Sequence, residues 1–120
     1  MLEIVNLTRY FSNYSLEKYG VVEPKNKKDI VQLLNIEDLS LSEIKERAVL
    51  IANNTRLDGY KAALIGDCST ILIPYIHKAL KDNGIRVFYP MKKTSYIDIC
   101  SITGPTYIEN TVTFLVEADD

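Results

Sequence analysis

The sequence has no excess of positive charge, no long hydrophobic run and no leader-like start. Its 14 Lys and Arg residues are outnumbered by 16 Asp and Glu residues, which gives a net charge of −2. Nonspecific binding to duplex nucleic acid depends on basic residues, so we do not expect that partner. No apolar stretch is long enough to cross a membrane, and the N-terminus is too short and too acidic for a signal peptide. These absences predict a cytoplasmic protein with no membrane partner.

Residues that hold metals or cofactors are also scarce. His77 is the only histidine, and Cys68 and Cys100 do not form a CxxC pair. We therefore expect free thiols, no metal site and no cofactor. The chain lacks the GxGxxG and Walker A patterns, so no motif supports binding of a dinucleotide or a P-loop phosphate site. Because His77 falls inside a predicted helix, we expect it to be structural or on the surface.

What the chain does have is an alternation of short apolar strands and amphipathic helices. With 120 residues, 47% of them hydrophobic, it predicts a single domain with a real core. Apolar runs rich in branched residues, apolar positions at helical spacing, and turn residues between them define the elements. The predicted strands are 2–7, 21–24, 61–65 and 85–89, and the predicted helices are 29–34, 41 to about 53, and about 70 to 82.

The C-terminal part has a different pattern. Residues 96–102 and 106–116 alternate between apolar and polar around Thr103-Gly104-Pro105, which is typical of a β-hairpin. Pro90 is expected to end the strand before it. The sequence therefore predicts an α/β protein, a small Rossmann-like parallel sheet flanked by helices over residues 1–93, followed by a C-terminal antiparallel β-hairpin over residues 94–120.

Candidate binding residues follow three of the predicted strands. In open α/β sheets, ligands bind beyond the carboxyl ends of the strands, where loops and helix N-termini converge. The turn at Gly66-Asp67 leads into a helix, whose first amides lack internal partners and favour an anion. Hydroxyl and basic side chains from the other two strand ends suit a phosphate-bearing ligand. The predicted ligand-binding residues are Asn6, Thr8, Arg9, Gly66, Asp67, Cys68, Ser69, Thr70, Lys92 and Lys93.

Each of these residues also has a purely structural interpretation. Gly66-Asp67 can be a strand-to-helix turn with Ser69 as the N-cap, and Lys92-Lys93 can be a solvated pair. Asp67 can act as a general base or cap the helix. Cys68 can be a nucleophile activated by a helix N-terminus or a small buried residue.

Aromatic residues and the hairpin point to contacts with other molecules. Tyr10, Phe11 and Tyr14 lie together after the first strand, where they can stack on a base, cover the sheet edge or form a dimer contact. Alternate apolar positions of the hairpin, such as Ile97 and Val112, favour pairing with a second subunit. We therefore expect a homodimer.

Several short segments support a family resemblance. The runs Ile4-Val5-Asn6-Leu7-Thr8-Arg9, Gly20-Val21-Val22-Glu23-Pro24, Ala63-Leu64-Ile65-Gly66 and Gly84-Ile85-Arg86-Val87-Phe88-Tyr89 resemble small proteins of phage and prophage origin. In its architecture the chain is similar to minimal CRISPR-associated Rossmann fold (CARF) proteins, including stand-alone ring nucleases. This second resemblance is an analogy of fold and strand-end chemistry.

The resemblance implies a dimer that binds a cyclic oligoadenylate-type messenger across its two-fold axis. In a ring nuclease the ligand's own 2'-hydroxyl is the nucleophile and no metal is needed, with Thr8, Arg9, Ser69 and Lys92 placed to orient ribose and phosphate. No catalytic motif of that family is matched residue by residue. Three functions therefore stay open: binding of an anionic nucleotide ligand, metal-independent cleavage of a cyclic oligonucleotide, and phage-encoded inhibition of a host defence protein.

Overall fold

The structure is a computed structural model that describes residues 2–8, 16–101 and 104–119, and for 95–101 and 104–111 it describes the backbone alone. These parts of the chain contain five strands, three α-helices and one 3-10 helix. In order they are β1 (Ile4–Asn6), a 3-10 helix (Glu17–Tyr19), β2 (Val21–Val22), α1 (Lys27–Leu34), α2 (Leu41–Leu57), β3 (Ala62–Leu64), α3 (Ile73–Asp82), β4 (Arg86–Ser101) and β5 (Gly104–Glu117).

The strands form one sheet in the order β2-β1-β3-β4-β5. The first four are parallel, and β5 is antiparallel to β4. This architecture confirms the predicted α/β fold with a C-terminal hairpin. The chain leaves β1 toward β2 on one side and continues from β3 to β4 on the other, so the strand order reverses between β1 and β3.

The two faces of the sheet are covered unequally. Val5, Ala63 and Val87 belong to the main core cluster, which they form with residues of all three helices. Ile4, Ala62 and Leu64 alternate with them on the opposite face, where Leu16 packs. Right-handed crossovers explain this division. The β2-to-β3 and β3-to-β4 connections run in one direction across the sheet and therefore cover one face. The β1-to-β2 connection runs in the other direction and therefore covers the opposite face.

The helices begin and end close to where sequence patterns predict. Ser40 accepts a hydrogen bond from the Glu43 amide while the Glu43 carboxylate accepts one from the Ser40 amide, so the two residues form the capping box that a serine followed three residues later by a glutamate indicates. The buried stripe of α2 consists of Ile44, Ala48, Ile51, Ala52 and Thr55. Leu41, the first helical residue, has the helical spacing of that stripe but is 52% exposed.

The predicted break at Pro90 is wrong, because β4 continues without interruption from Arg86 to Ser101. The Phe88 carbonyl accepts from Ile65 after β3, and the Val87 carbonyl accepts from Ala118 after β5. Since backbone groups alternate in direction along a strand, position 90 turns toward the β3 side, where β3 has already ended at Leu64. Proline therefore removes no hydrogen bond from the sheet. The pairing of β4 with β5 accordingly begins at Phe88, opposite Glu117.

Candidate functional site

The ends of β1 and β3 bring three of the predicted site residues together. The Leu7 amide donates to the Leu64 carbonyl over 2.8 Å, which fixes the two strand ends side by side. Asn6, Thr8 and Gly66 meet there, and the Thr8 hydroxyl donates to the Asn6 side-chain oxygen. This is the point where the strand order reverses, which is the usual place for a ligand crevice in an open α/β sheet.

Gly66 lies in close contact with the Thr8 side chain. A Cβ atom built at position 66 would overlap the Thr8 hydroxyl oxygen and lie 2.9 Å from the Thr8 methyl carbon. The missing side chain at position 66 therefore makes room for the Thr8 side chain. Thr8 itself is only 5% exposed, so its side chain serves mainly as packing between the two strand ends.

The connection from β3 to α3 is longer than predicted. α3 begins at Ile73 rather than near Thr70, with Leu72 at the N-cap and no side-chain cap, so the alternatives in which Ser69 or Asp67 caps the helix are wrong. The amides of Leu72 and Ile73 both donate to the Ser69 carbonyl. Pro74 has no amide hydrogen. The start of the helix therefore offers an anion fewer amides than the sequence suggested.

Unpaired amides lie earlier in this connection. Within the parts of the chain that the structure describes, the backbone amides of residues 66–71 have no hydrogen-bond partner in the protein. Asp67 and Thr70 are exposed, whereas Cys68 and Ser69 are half-buried. A run of such amides favours an oxyanion, but the Asp67 carboxylate in the same run opposes one.

The Cys68 thiol is unsuited to nucleophilic chemistry at neutral pH. Burial, together with the adjacent Asp67 carboxylate, raises its pKa to about 11. The side chain packs against the main core cluster. Because the thiolate is the reactive form, Cys68 is the small buried residue of the two alternatives.

The two lysines do not follow a loop at the strand end. Both lie within β4 and are exposed, with Lys92 opposite Thr113 and Lys93 opposite Val112. Successive residues of a strand point to opposite faces, so only one lysine of the pair shares the face with α3. That lysine is Lys93, which lies on the same face of β4 as Val87 because the two are an even number of residues apart. Arg9, Tyr10, Phe11 and Tyr14 lie outside the described residues.

Other features of the described residues lie away from this edge. His77 in α3 shares a 2.6 Å hydrogen bond with the Tyr89 hydroxyl and stacks on its ring, which gives it a structural role. A groove of about 430 Å³ opens between α2 and α3, with Val49 and Tyr75 in its wall, on the outer surface of the helix layer. Among the described residues, no three His, Cys, Asp or Glu side chains cluster as metal ligands. None of the helices described here is both long and apolar enough to span a bilayer.

No protein-family model, curated protein or solved structure matches this chain. The resemblance to phage proteins and to the CARF architecture accordingly stays a prediction.

Proposed function

We propose that the protein binds an anionic nucleotide ligand at the carboxyl ends of its parallel strands, in the crevice between the ends of β1 and β3. The observation that carries this proposal is the run of unpartnered amides at 66–71 beside the point where the strand order reverses. Amides of this kind stabilise phosphate oxygens without needing a basic protein surface, which fits a chain of net charge −2.

Neighbouring side chains divide into those that help an anion and those that oppose it. Asn6 is half-buried at the end of β1 and its side-chain nitrogen can donate to a ligand. Lys93 lies in β4 five residues beyond Phe88, about 16 Å past the end of β3 at the usual rise per strand residue, so it lies away from these amides. Arg9 adds positive charge in the sequence-based hypothesis. Asp67 adds a negative charge to the same connection. The ligand's base is expected to supply the rest of the affinity.

The direct test is calorimetric titration and thermal shift with inorganic phosphate, AMP, ADP and cyclic oligoadenylates of several ring sizes. Asp67→Asn is expected to tighten binding two- to fivefold at low salt, because it removes one repulsive charge near the anion. Asp82→Asn is the matched control, since it removes the same charge from the far end of α3. If no compound binds, or if both variants behave alike, the proposed site is wrong.

Chromatography of each mixture after incubation separates binding from cleavage. Intact ligand indicates a binding protein, whereas a linearised cyclic oligonucleotide indicates the ring-nuclease alternative. Neither outcome involves Cys68 as a nucleophile, because its pKa of about 11 keeps the thiol protonated. A host protein partner becomes the leading hypothesis if no nucleotide is bound.

A further inference from the structure

The distal part of the hairpin extends past the rest of the sheet. β3 ends opposite Phe88, so in the part of the chain that the structure describes residues 91–101 and 104–114 form a two-stranded ribbon, which we call the arm. The molecule is 61 Å long but only 36 and 28 Å in its other dimensions. A two-stranded ribbon without a further layer is marginally stable in water, so the arm gains stability from anything that covers one of its faces.

The described residues at the base of the arm make one face apolar. Met91 and Val112 are 47% and 46% exposed. The register places both on the same face of the sheet as Tyr89, which packs on the helix core. The opposite face of the arm carries Lys92 opposite Thr113, followed by Thr94 opposite Thr111. The arm is therefore amphipathic, and its apolar face lies on the helix side of the sheet beyond the point where the helices stop.

Along this face the residue pairs are polar in the middle and mostly apolar toward both ends, with Lys93 near the base and Thr106 near the tip as the exceptions. From base to tip the pairs in register are Met91 with Phe114, Lys93 with Val112, Ser95 with Asn110, Ile97 with Ile108, and Ile99 with Thr106. A polar pair lies in the middle and apolar residues lie on both sides. Such an order is complementary to itself when a second arm is turned end for end.

We propose that the apolar face of the arm binds the arm of a second copy of this chain, about a two-fold axis that passes by the pair formed by Ser95 and Asn110. In this arrangement the base of each arm covers the tip of the other. Lys93 meets the two isoleucine positions of the partner, where its aliphatic stem lies on the apolar surface and its ammonium group reaches water.

The size of the arm fits a weak but specific dimer. Eleven residues from each strand make a face of about 36 by 10 Å, from the usual rise per residue and strand spacing. With side-chain relief, two such faces remove on the order of 1,000 Å² from water, near the lower limit for a specific interface. We therefore expect a dissociation constant in the micromolar range.

Sedimentation equilibrium of the full chain from 1 to 200 μM tests this interface. Wild type is expected to pass from monomer to dimer, and Val112→Glu is expected to weaken the dimer at least tenfold. Thr113→Glu, the next residue on the opposite face, is expected to change it less than twofold. Circular dichroism confirms that both variants fold. A wild type that stays monomeric at 200 μM, or equal effects of the two variants, overturns the proposal.

A cysteine scan tests the position of the axis. In a Cys68→Ala, Cys100→Ser background, Ser95→Cys is expected to be cross-linked into a dimer by a short bismaleimide, because a two-fold axis at this position places each residue 95 opposite its own copy across the roughly 10 Å between packed sheets. Thr94→Cys, on the other face, is expected to stay monomeric on a denaturing gel. Equal cross-linking of both variants, or of neither, contradicts the arrangement.

Discussion

At the end of β1, Thr8 occupies the space that a side chain at position 66 would need. Its hydroxyl is bonded to Asn6 and its side chain is almost completely buried, so it has little freedom to move away. The requirement for glycine at position 66 is therefore one of space rather than of backbone conformation. The two strand ends of the candidate crevice are tied together by this contact.

Gly66→Ala is expected to reduce the free energy of unfolding by about 1–3 kcal/mol, because the new methyl group overpacks a closed contact. Thr8→Ala should cost less on its own, and the double variant should recover part of the loss. Urea denaturation of the four proteins measures the coupling. Strictly additive effects would show that the two residues do not compete for the same space.

The buried thiol of Cys68 predicts a pH dependence of stability. Its pKa of about 11 in the folded state lies above the ordinary value near 9, so the folded protein holds this proton more tightly than the unfolded chain. The resulting stabilisation is present below about pH 9 and is lost as the pH rises toward 11. In the Cys68→Ala variant, the fall in stability that comes from Cys68 should be absent when urea midpoints are measured between pH 8 and 11.

Alkylation gives an independent measure of the same group. In a Cys100→Ser background, the rate of Cys68 modification by iodoacetamide should still be rising at pH 10. A rate that levels off near pH 8.5 would show an ordinary, accessible thiol.

Among the elements, α2 is the one whose start is most clearly encoded. Ser40 and Glu43 exchange hydrogen bonds at its N-terminus, and the helix spans the 17 residues from Leu41 to Leu57. Because this end of the helix is exposed, its amides would otherwise be bonded only to water.

Ser40→Ala is expected to cost about 1 kcal/mol of unfolding free energy, since it removes the side-chain acceptor of the capping box. Ser42→Ala is the matched control: Ser42 is exposed two residues further along and has no capping role, so its replacement should be neutral or slightly stabilising. Thermal denaturation of both variants checks the difference. Equal stabilities would mean that the capping box contributes nothing measurable.

Over the whole molecule, the compact body and the arm are built differently. The buried hydrophobic residues of the described chain run from Ile4 to Val87, and none of those described lies in the arm. The body therefore has its own core, whereas the arm depends on its cross-strand hydrogen bonds and on whatever covers its apolar face.

Replacing residues 92–113 by Asn-Gly joins Met91 to Phe114, which are opposite each other in register, through a two-residue hairpin turn. The shortened protein is expected to keep its helical circular dichroism and to unfold cooperatively, within about 1 kcal/mol of the wild-type monomer, because the lost ribbon is itself only marginally stable. Its melting temperature should not depend on concentration. Loss of cooperative unfolding would show that the arm is part of the core.

Several residues of the candidate site could be predicted from the sequence, but their geometry could not. Strand ends and turn residues placed Asn6, Thr8 and Gly66 at one edge of the sheet, because parallel strands end together. The exact start of α3 depends on how Ser69 to Leu72 coil before Ile73, which no local signal specifies. The separation of Lys92 from Lys93 onto opposite faces follows only once both are known to lie in a strand.

The sequence by itself determined the α/β class, the start of α2 at its capping box, and the existence of a C-terminal hairpin, because these depend on residue periodicity and on contacts between near neighbours. Only the tertiary structure decided that β4 runs through Pro90 and that Thr8 fills the space beside Gly66. Both depend on where a distant segment ends. Because β3 stops at Leu64, position 90 has no neighbouring strand to form a hydrogen bond with. For the same reason residue 66 lies against the end of β1. Such contacts join residues far apart in the chain, and no local pattern encodes them.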